Sequence, residues 1–171
     1  MTILRKILIL PLILLLPSCV AISTANMSPT ETLAKDEGIL LIRTFGEGVD
    51  AGKIHVHDLE AGGFSLSAVS LSIKTGEQIL LLKIKAGPTY GLTRYATYGG
   101  GFELDKGKYT FTIEPGKINY VADISVEQHG YSARLGVAVD ESITVAKAKQ
   151  TAPKLFEKYP YTLSAVKIER D

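Results

Sequence analysis

Two histidines at alternate positions raise the first question of chemistry. In His55-Val56-His57-Asp58 the rings at i and i+2 of a strand point to one side, where their nitrogens can share a zinc or copper ion. A complete site needs a third ligand, and His129 is the one histidine left to supply it. Asp58 falls on the opposite side with Ile54 and Val56. The same spacing therefore also describes the solvent face of a half-buried strand. A second group sets Tyr90, Arg94, Tyr95 and Tyr98 among the glycines of GPTYGLTRYATYGGG, residues 87–101. Tyrosine offers a flat apolar ring and a hydroxyl, which suits a glycan, a small ligand or a protein partner. The competing reading is a loop whose tyrosines close one end of a β domain.

Other arrangements exclude chemistry. Gly99-Gly100-Gly101 has no following Lys-Ser/Thr and no parallel βαβ context, so it is no phosphate loop. Gly62-Gly63-Phe64-Ser65-Leu66-Ser67 lacks the glycine that a nucleophile elbow carries after its serine. Asp123 and Glu127 fall on the polar side of a strand and read as solvated carboxylates. No nucleophile–base pair and no metal set is complete, so the residues predict neither an enzyme nor a bound cofactor.

The elements that must position these residues are mostly strands. Tyr109, Phe111 and Ile113 alternate with Thr110 and Thr112, the period-two pattern of a half-buried strand. Glu114-Pro115-Gly116-Lys117 fits a type II turn, with proline fixing φ and glycine supplying positive φ. Type II turns splay hairpin strands, so the strands on either side are expected in different sheets. Beyond the turn, Ile118, Tyr120, Ala122, Ile124 and Val126 share a face. So do Tyr131, Ala133, Leu135, Val137 and Val139. A two-residue loop at 129–130 pairs Val126 with Ala133 and Ile124 with Leu135, bringing both apolar sets to one side.

Gly38 to Phe45 is apolar on both faces and predicts a central strand. Lys53 to Asp58 is a short strand. Phe64 to Ile73 changes phase near Ala68 and Val69, which predicts a bulge. Gln78 to Ala86 is a strand with Leu80, Leu82 and Ile84 inward, and an irregular edge strand fits Leu92 to Tyr98. Asp140 or Ser142 can cap a helix running to Gln150. Pro153 opens a second turn through Phe156, and Pro160 stops it. Ile143, Ala146 and Phe156 are expected to pack on the sheets, and Tyr161 to Ile168 to form a last strand. The fold class is mainly β, an antiparallel β-sandwich with a short C-terminal helical segment.

The front of the chain is an address. Arg5 and Lys6 precede ten apolar residues, Ile7 to Leu16, too few to span a bilayer as a helix. Leu16-Pro17-Ser18-Cys19 resembles the lipobox of bacterial lipoproteins, although Pro17 stands where that family carries a small or aliphatic residue. The resemblance implies a diacylglycerol on Cys19, the only cysteine of the chain. Val20 after it implies the outer membrane, facing the periplasm. The alternative is cleavage after Ser23-Thr24-Ala25 and a soluble periplasmic protein. On the lipoprotein reading residues 1–18 are a signal peptide, 19–37 a lipidated flexible tether and 38–171 the folded domain. Removing the signal peptide takes Arg5 and Lys6 from the 19 basic side chains. That leaves 17 against 18 acidic, a formal charge of −1 that gives nucleic-acid binding no support. One cysteine permits no intramolecular disulfide.

Gly107-Lys108-Tyr109, Pro115-Gly116-Lys117, Asn119-Tyr120 and the closing Tyr159-Pro160 resemble a pattern of bacterial envelope lipoproteins of unknown function with an immunoglobulin-like or transthyretin-like sandwich. These are turn and core residues, so the resemblance implies a fold and transfers no catalytic residue. The expectation is a lipid-anchored, non-enzymatic binding or structural module, meeting the membrane and, with it, envelope proteins or peptidoglycan. Two alternatives remain open: a metal-binding periplasmic protein using His55 and His57, and a glycan or small-ligand binder using the Tyr90–Tyr98 loop.

Overall fold

A strand as apolar as Gly38–Phe45 needs cover on both faces, and the fold supplies it with three layers. The computed structural model describes residues 26–61 and 68–169. In chain order the strands are β1 (Glu37–Glu47), β2 (Gly52–Asp58), β3 (Val69–Ile73), β4 (Gly76–Lys85), β5 (Thr89–Thr97), β6 (Gly100–Glu103) and β7 (Tyr109–Thr112). Then follow β8 (Ile118–His129), β9 (Ser132–Ala138), helices α1 (Glu141–Thr151) and α2 (Pro153–Lys158), β10 (Tyr161–Leu163) and β11 (Lys167–Ile168). The back sheet runs β10-β8-β1-β4, with β9 also on β8; the front sheet runs β11-β7-β5-β2-β3, with β6 also on β5. Leu40 and Ile42 of β1 join the core between the sheets, while Ile39 and Leu41 pack under Val145, Ala148 and Leu155 of the helices. The protein is a β-sandwich with a helical layer on its back sheet. Among the described residues no helix is long and apolar enough to cross a membrane.

The type II turn does what its geometry implies. Gly116 has φ +69, and β7 and β8 on either side of it lie in different sheets. Asn119 holds this crossover. Its side chain is fully buried; Oδ1 accepts from the Glu114 N–H at 2.8 Å and Nδ2 donates to the carbonyls of Glu114 and Lys117 at 3.0 and 2.9 Å.

Several expectations are corrected. The β8–β9 hairpin forms, but its loop is Gly130-Tyr131, so Val126 pairs with Leu135 and Ile124 with Val137. Gly130 has φ +60 and stands first in the loop, as a type II′ turn requires; a loop at 129–130 would have placed His129 there instead. The two-residue shift of partners keeps the inward side, so Ala133, Leu135 and Val137 still pack on the core. The face expected along all of β8 is broken by a bulge. Leu41 pairs with Tyr120 and Ile42 with Ala122, leaving Val121 extra. Ile118 and Tyr120 therefore face the helices, whereas Ala122, Ile124 and Val126 face the front sheet.

The back sheet is mixed rather than antiparallel, since β1 and β10 both run parallel to β8. The irregular strand expected at Leu92 to Tyr98 belongs to β5 and is bulged at Thr93, but it is no edge: β2 lies on one side and β7 and β6 on the other. Pairing of β2 with β3 is regular at Val69, and the bulge lies instead on β5 opposite His55 and Val56. The single last strand is two short ones, β10 on the back sheet and β11 on the front. Ile143 and Ala146 are exposed; α1 buries Thr144, Val145 and Ala148 instead. The segment 26–36, read as tether, is docked: Asn26 and Met27 bond the free edge of β4 at Ile79 and Leu81, and Met27 is buried. The lipobox, Cys19 and the Gly62–Ser67 serine motif lie outside the described residues.

Replacing Asn119 by alanine leaves the Glu114 amide and carbonyl without their partner, while the Lys117 carbonyl keeps the Ile39 N–H. We expect Asn119→Ala to lose about 2–4 kcal/mol in urea unfolding, since each unsatisfied buried group costs about 1–3 kcal/mol.

Candidate functional site

Three places gather polar groups, and they differ in what they can do. The first is buried. Arg43 sits in the apolar run of β1 and Asp123 beside it on β8; they are direct register partners, 6% and 5% exposed. The Arg43 guanidinium donates to Asp123 Oδ2, and its Nη1 lies 3.7 Å from Glu77 Oε1 of β4. Oδ1 of Asp123 accepts from the Thr144 hydroxyl of α1 at 2.7 Å and from the Tyr120 hydroxyl at 3.2 Å. The same tyrosine oxygen accepts the Asp140 N–H at 2.7 Å, at the start of α1. The bulge at Val121 is what puts Tyr120 and Asp123 on one face. Burial opposes the charge on Arg43, but the Asp123 bond and the charges of Asp123, Glu77 and Asp140 outweigh it and raise its pKa. Burial pushes the Tyr120 hydroxyl up to about 12. The Asp123 carboxylate and the Thr144 and Tyr120 hydroxyls all bond another member of the cluster, Arg43 Nε is buried without a hydrogen-bond partner among the described residues, and no member lines the cleft described below. It is a clasp between helix and sheet.

The second place is the outer face of the front sheet. The rings of His55 and His57 stack at 6.3 Å with 24° between their planes. Thr93, the extra residue of the β5 bulge, lies 2.8 Å from His57 Nδ1, and the Ser70 hydroxyl lies 3.4 Å from His55 Nδ1. Arg94 stands on this face, paired in register with His55, with its Nε 3.5 Å from Glu103. His129 ends β8 in the other sheet. Among the described residues no three His, Cys, Asp or Glu side chains are grouped to hold a metal ion.

The third place is a cleft of about 370 Å³ at one end of the sandwich. The β1–β2 connection, the β5–β6 hairpin and the β8–β9 hairpin enclose it. Tyr95 of the front sheet is its floor, and its hydroxyl donates across to Gln128 Oε1 of the back sheet at 2.9 Å. Gly52 leaves room for that ring, since a Cβ there would stand 2.8 Å from it. Two-residue loops form both hairpin tips, Tyr98-Gly99 and Gly130-Tyr131. Tyr98 and Tyr131 project from them at 107% and 103% exposure, the largest values among the exposed large hydrophobics. Among the described residues, Asp50 is the only charged one lining the cleft.

The tyrosine-rich segment is thus divided. Tyr95 and Tyr98 belong to the cleft and Arg94 to the histidine face. Tyr90 is core, its hydroxyl donating to the Lys85 carbonyl at 2.8 Å and pushed up to about 12 by burial and then by the charge of Asp58. Tyr131 and Gln128 escaped sequence reasoning, because a tyrosine two residues before an alternating run reads as strand. Arg43 and Asp123 escaped it too. Their signal was a lone arginine in GILLIRTF and a lone aspartate in YVADISV, charges that two central strands bury only as a pair. No protein-family model matches the chain, and no curated protein does.

Asp123→Ala leaves the Arg43 charge buried with only its weaker partners. We expect a loss of about 3–5 kcal/mol in denaturant unfolding; a loss below about 1 kcal/mol would show Asp140 and Glu77 taking over the charge.

Burial, then His57, Arg94 and Lys53, hold His55 below its ordinary value of 6.5, against the pull of Glu103. The unfolded chain therefore takes up a proton at His55 that the folded chain resists. Stability is unaffected above pH 6.5 and falls as pH drops below it. His55→Gln should shrink the difference between unfolding midpoints measured at about pH 7.5 and about pH 5.5.

Proposed function

We propose that this protein is a non-enzymatic binding module of a bacterial envelope, held at the outer membrane on its periplasmic side by a lipid on Cys19. Its contact surface is the cleft end of the sandwich. The observation that carries this reading is the pair of fully exposed tyrosines, Tyr98 and Tyr131, at the tips of two hairpins beside one cleft. Water-exposed tyrosine rings are enriched where proteins meet partners, since they bring contact area at low entropic cost. The tips around them carry glycine, so backbone is accessible as well as ring.

The buried charges are a weaker candidate, because Arg43 and Asp123 are almost fully buried and bonded to each other. The histidine face is a weaker candidate for a ligand: hydroxyls of Thr93 and Ser70 already meet both Nδ1 atoms.

The anchor is tested by intact mass of membrane-extracted protein beside Cys19→Ala. We expect a diacyl or triacyl adduct that begins the mature chain at Cys19, with membrane association lost in the variant. A mass matching cleavage after Ala25, without lipid, contradicts the anchor and makes the protein diffusible.

A further inference from the structure

The surface that meets Tyr98 and Tyr131 follows from where the chain enters the fold. Traced backward from Asp36 to Asn26, the backbone climbs β4 from Ala86, whose N–H bonds the Asp36 carbonyl, to Ile79, whose carbonyl accepts from Asn26. That direction leads toward Gly76, which pairs with Gly46 beside the cleft end. Cys19 lies seven residues before Asn26, a reach of at most about 25 Å.

From Ile79 the end of β4 at Gly76 is about 10 Å away at 3.3 Å per residue, and the opposite end at Lys85 is about 20 Å away. A lipid on Cys19 thus brings the cleft end to the bilayer with slack, and the opposite end only with the chain nearly taut. The two ends also differ in chemistry. The far end exposes Lys85 and the Lys117–Glu114 ion pair, bonded at 2.6 Å. The near end exposes two tyrosines on hairpin tips that carry no charge, Thr97-Tyr98-Gly99-Gly100-Gly101 and Gly130-Tyr131-Ser132, with the carboxylates Glu47, ending β1, and Asp50, on the β1–β2 connection, exposed beside them. Tyrosine sits well at the headgroup level, ring toward the acyl chains and hydroxyl toward water, and a tip without charge loses little on leaving water.

We infer that the cleft end docks on the headgroup layer of the membrane that anchors the protein, with Tyr98 and Tyr131 inserted as two interfacial contacts and the cleft opening onto lipid headgroups. The inference rests on the lipid anchor proposed above. Two tyrosines bind a bilayer weakly from solution; on a short tether the effective concentration reaches the millimolar range, which makes a weak contact persistent.

The chain has no tryptophan, so single replacements report their own surroundings. Full-length lipidated protein carrying Tyr98→Trp, Tyr131→Trp or, as control, Lys85→Trp is reconstituted into phosphatidylethanolamine–phosphatidylglycerol vesicles containing brominated acyl chains. Mass spectrometry of each sample reports the lipid on Cys19. The inference expects a blue shift and bromine quenching for the tryptophans at 98 and 131, and a solvent-like, unquenched spectrum at 85. Solvent-like spectra at 98 and 131 in protein of lipidated mass would overturn the docking and leave the anchor standing, with a soluble ligand or protein as the occupant. Absence of lipid on Cys19 overturns anchor and docking together.

Discussion

One ion pair organises the back of this molecule. Arg43 and Asp123 lie side by side on the two central strands of the back sheet, and each would be prohibitive there alone. Together they need further partners, and the fold provides them from three elements. Tyr120 turns to Asp123 through the bulge in β8, Thr144 reaches it from α1, and Glu77 approaches Arg43 from β4. Lys147 of α1 then bonds Glu77 at 2.7 Å on the surface. The helix is thereby fixed in position by polar contacts that its apolar face could not specify, since Val145 and Ala148 alone would tolerate sliding. The pair also sets where the helix begins, because Tyr120 takes the Asp140 amide.

This division of labour leaves the cleft end of the sandwich free. At the clasp Arg43 and Asp123 are buried and bonded to each other, and the tyrosine floor of the cleft is bonded to Gln128. What remains open to a partner is at the hairpin tips, where glycine permits tight loops and the side chains have nowhere to fold back. Tyr95 links the two contributions: it is buried core for the front sheet and, through its hydroxyl, the tie that holds the two hairpins at a fixed separation.

Much of the fold was legible because it depends on short-range rules. Pro115-Gly116 announced a type II turn, and that turn's splay predicted the change of sheet. The two-sided apolar run 38–45 predicted a covered central strand. The errors came where tertiary context decides. A bulge at Val121 leaves no mark in the residue pattern, since Ile118, Tyr120, Ala122, Ile124 and Val126 alternate through it without interruption. Once the phase changes, Asp123 moves from expected solvent to the interior. The hairpin loop was misplaced by one position because His129-Gly130 and Gly130-Tyr131 both look like turns; the sign of φ at the first loop residue distinguishes them. The candidate site was legible in part. Tyr95 and Tyr98 were visible as a glycine–tyrosine cluster, but their cleft partners come from β8 and β9, more than thirty residues on, and no local pattern brings them together.

The central claim, that contact is made at the cleft end, is tested most directly by photo-crosslinking in living cells. A benzophenone side chain is placed singly at Tyr98, Tyr131, Lys53 on the histidine face and Lys85 at the opposite end, and ultraviolet-dependent adducts, to protein, glycan or lipid, are compared. The account predicts adducts at 98 and 131 and little at 53 or 85. Adducts concentrated at 53 or 85 would contradict it and move the working surface to the histidine face or the opposite end.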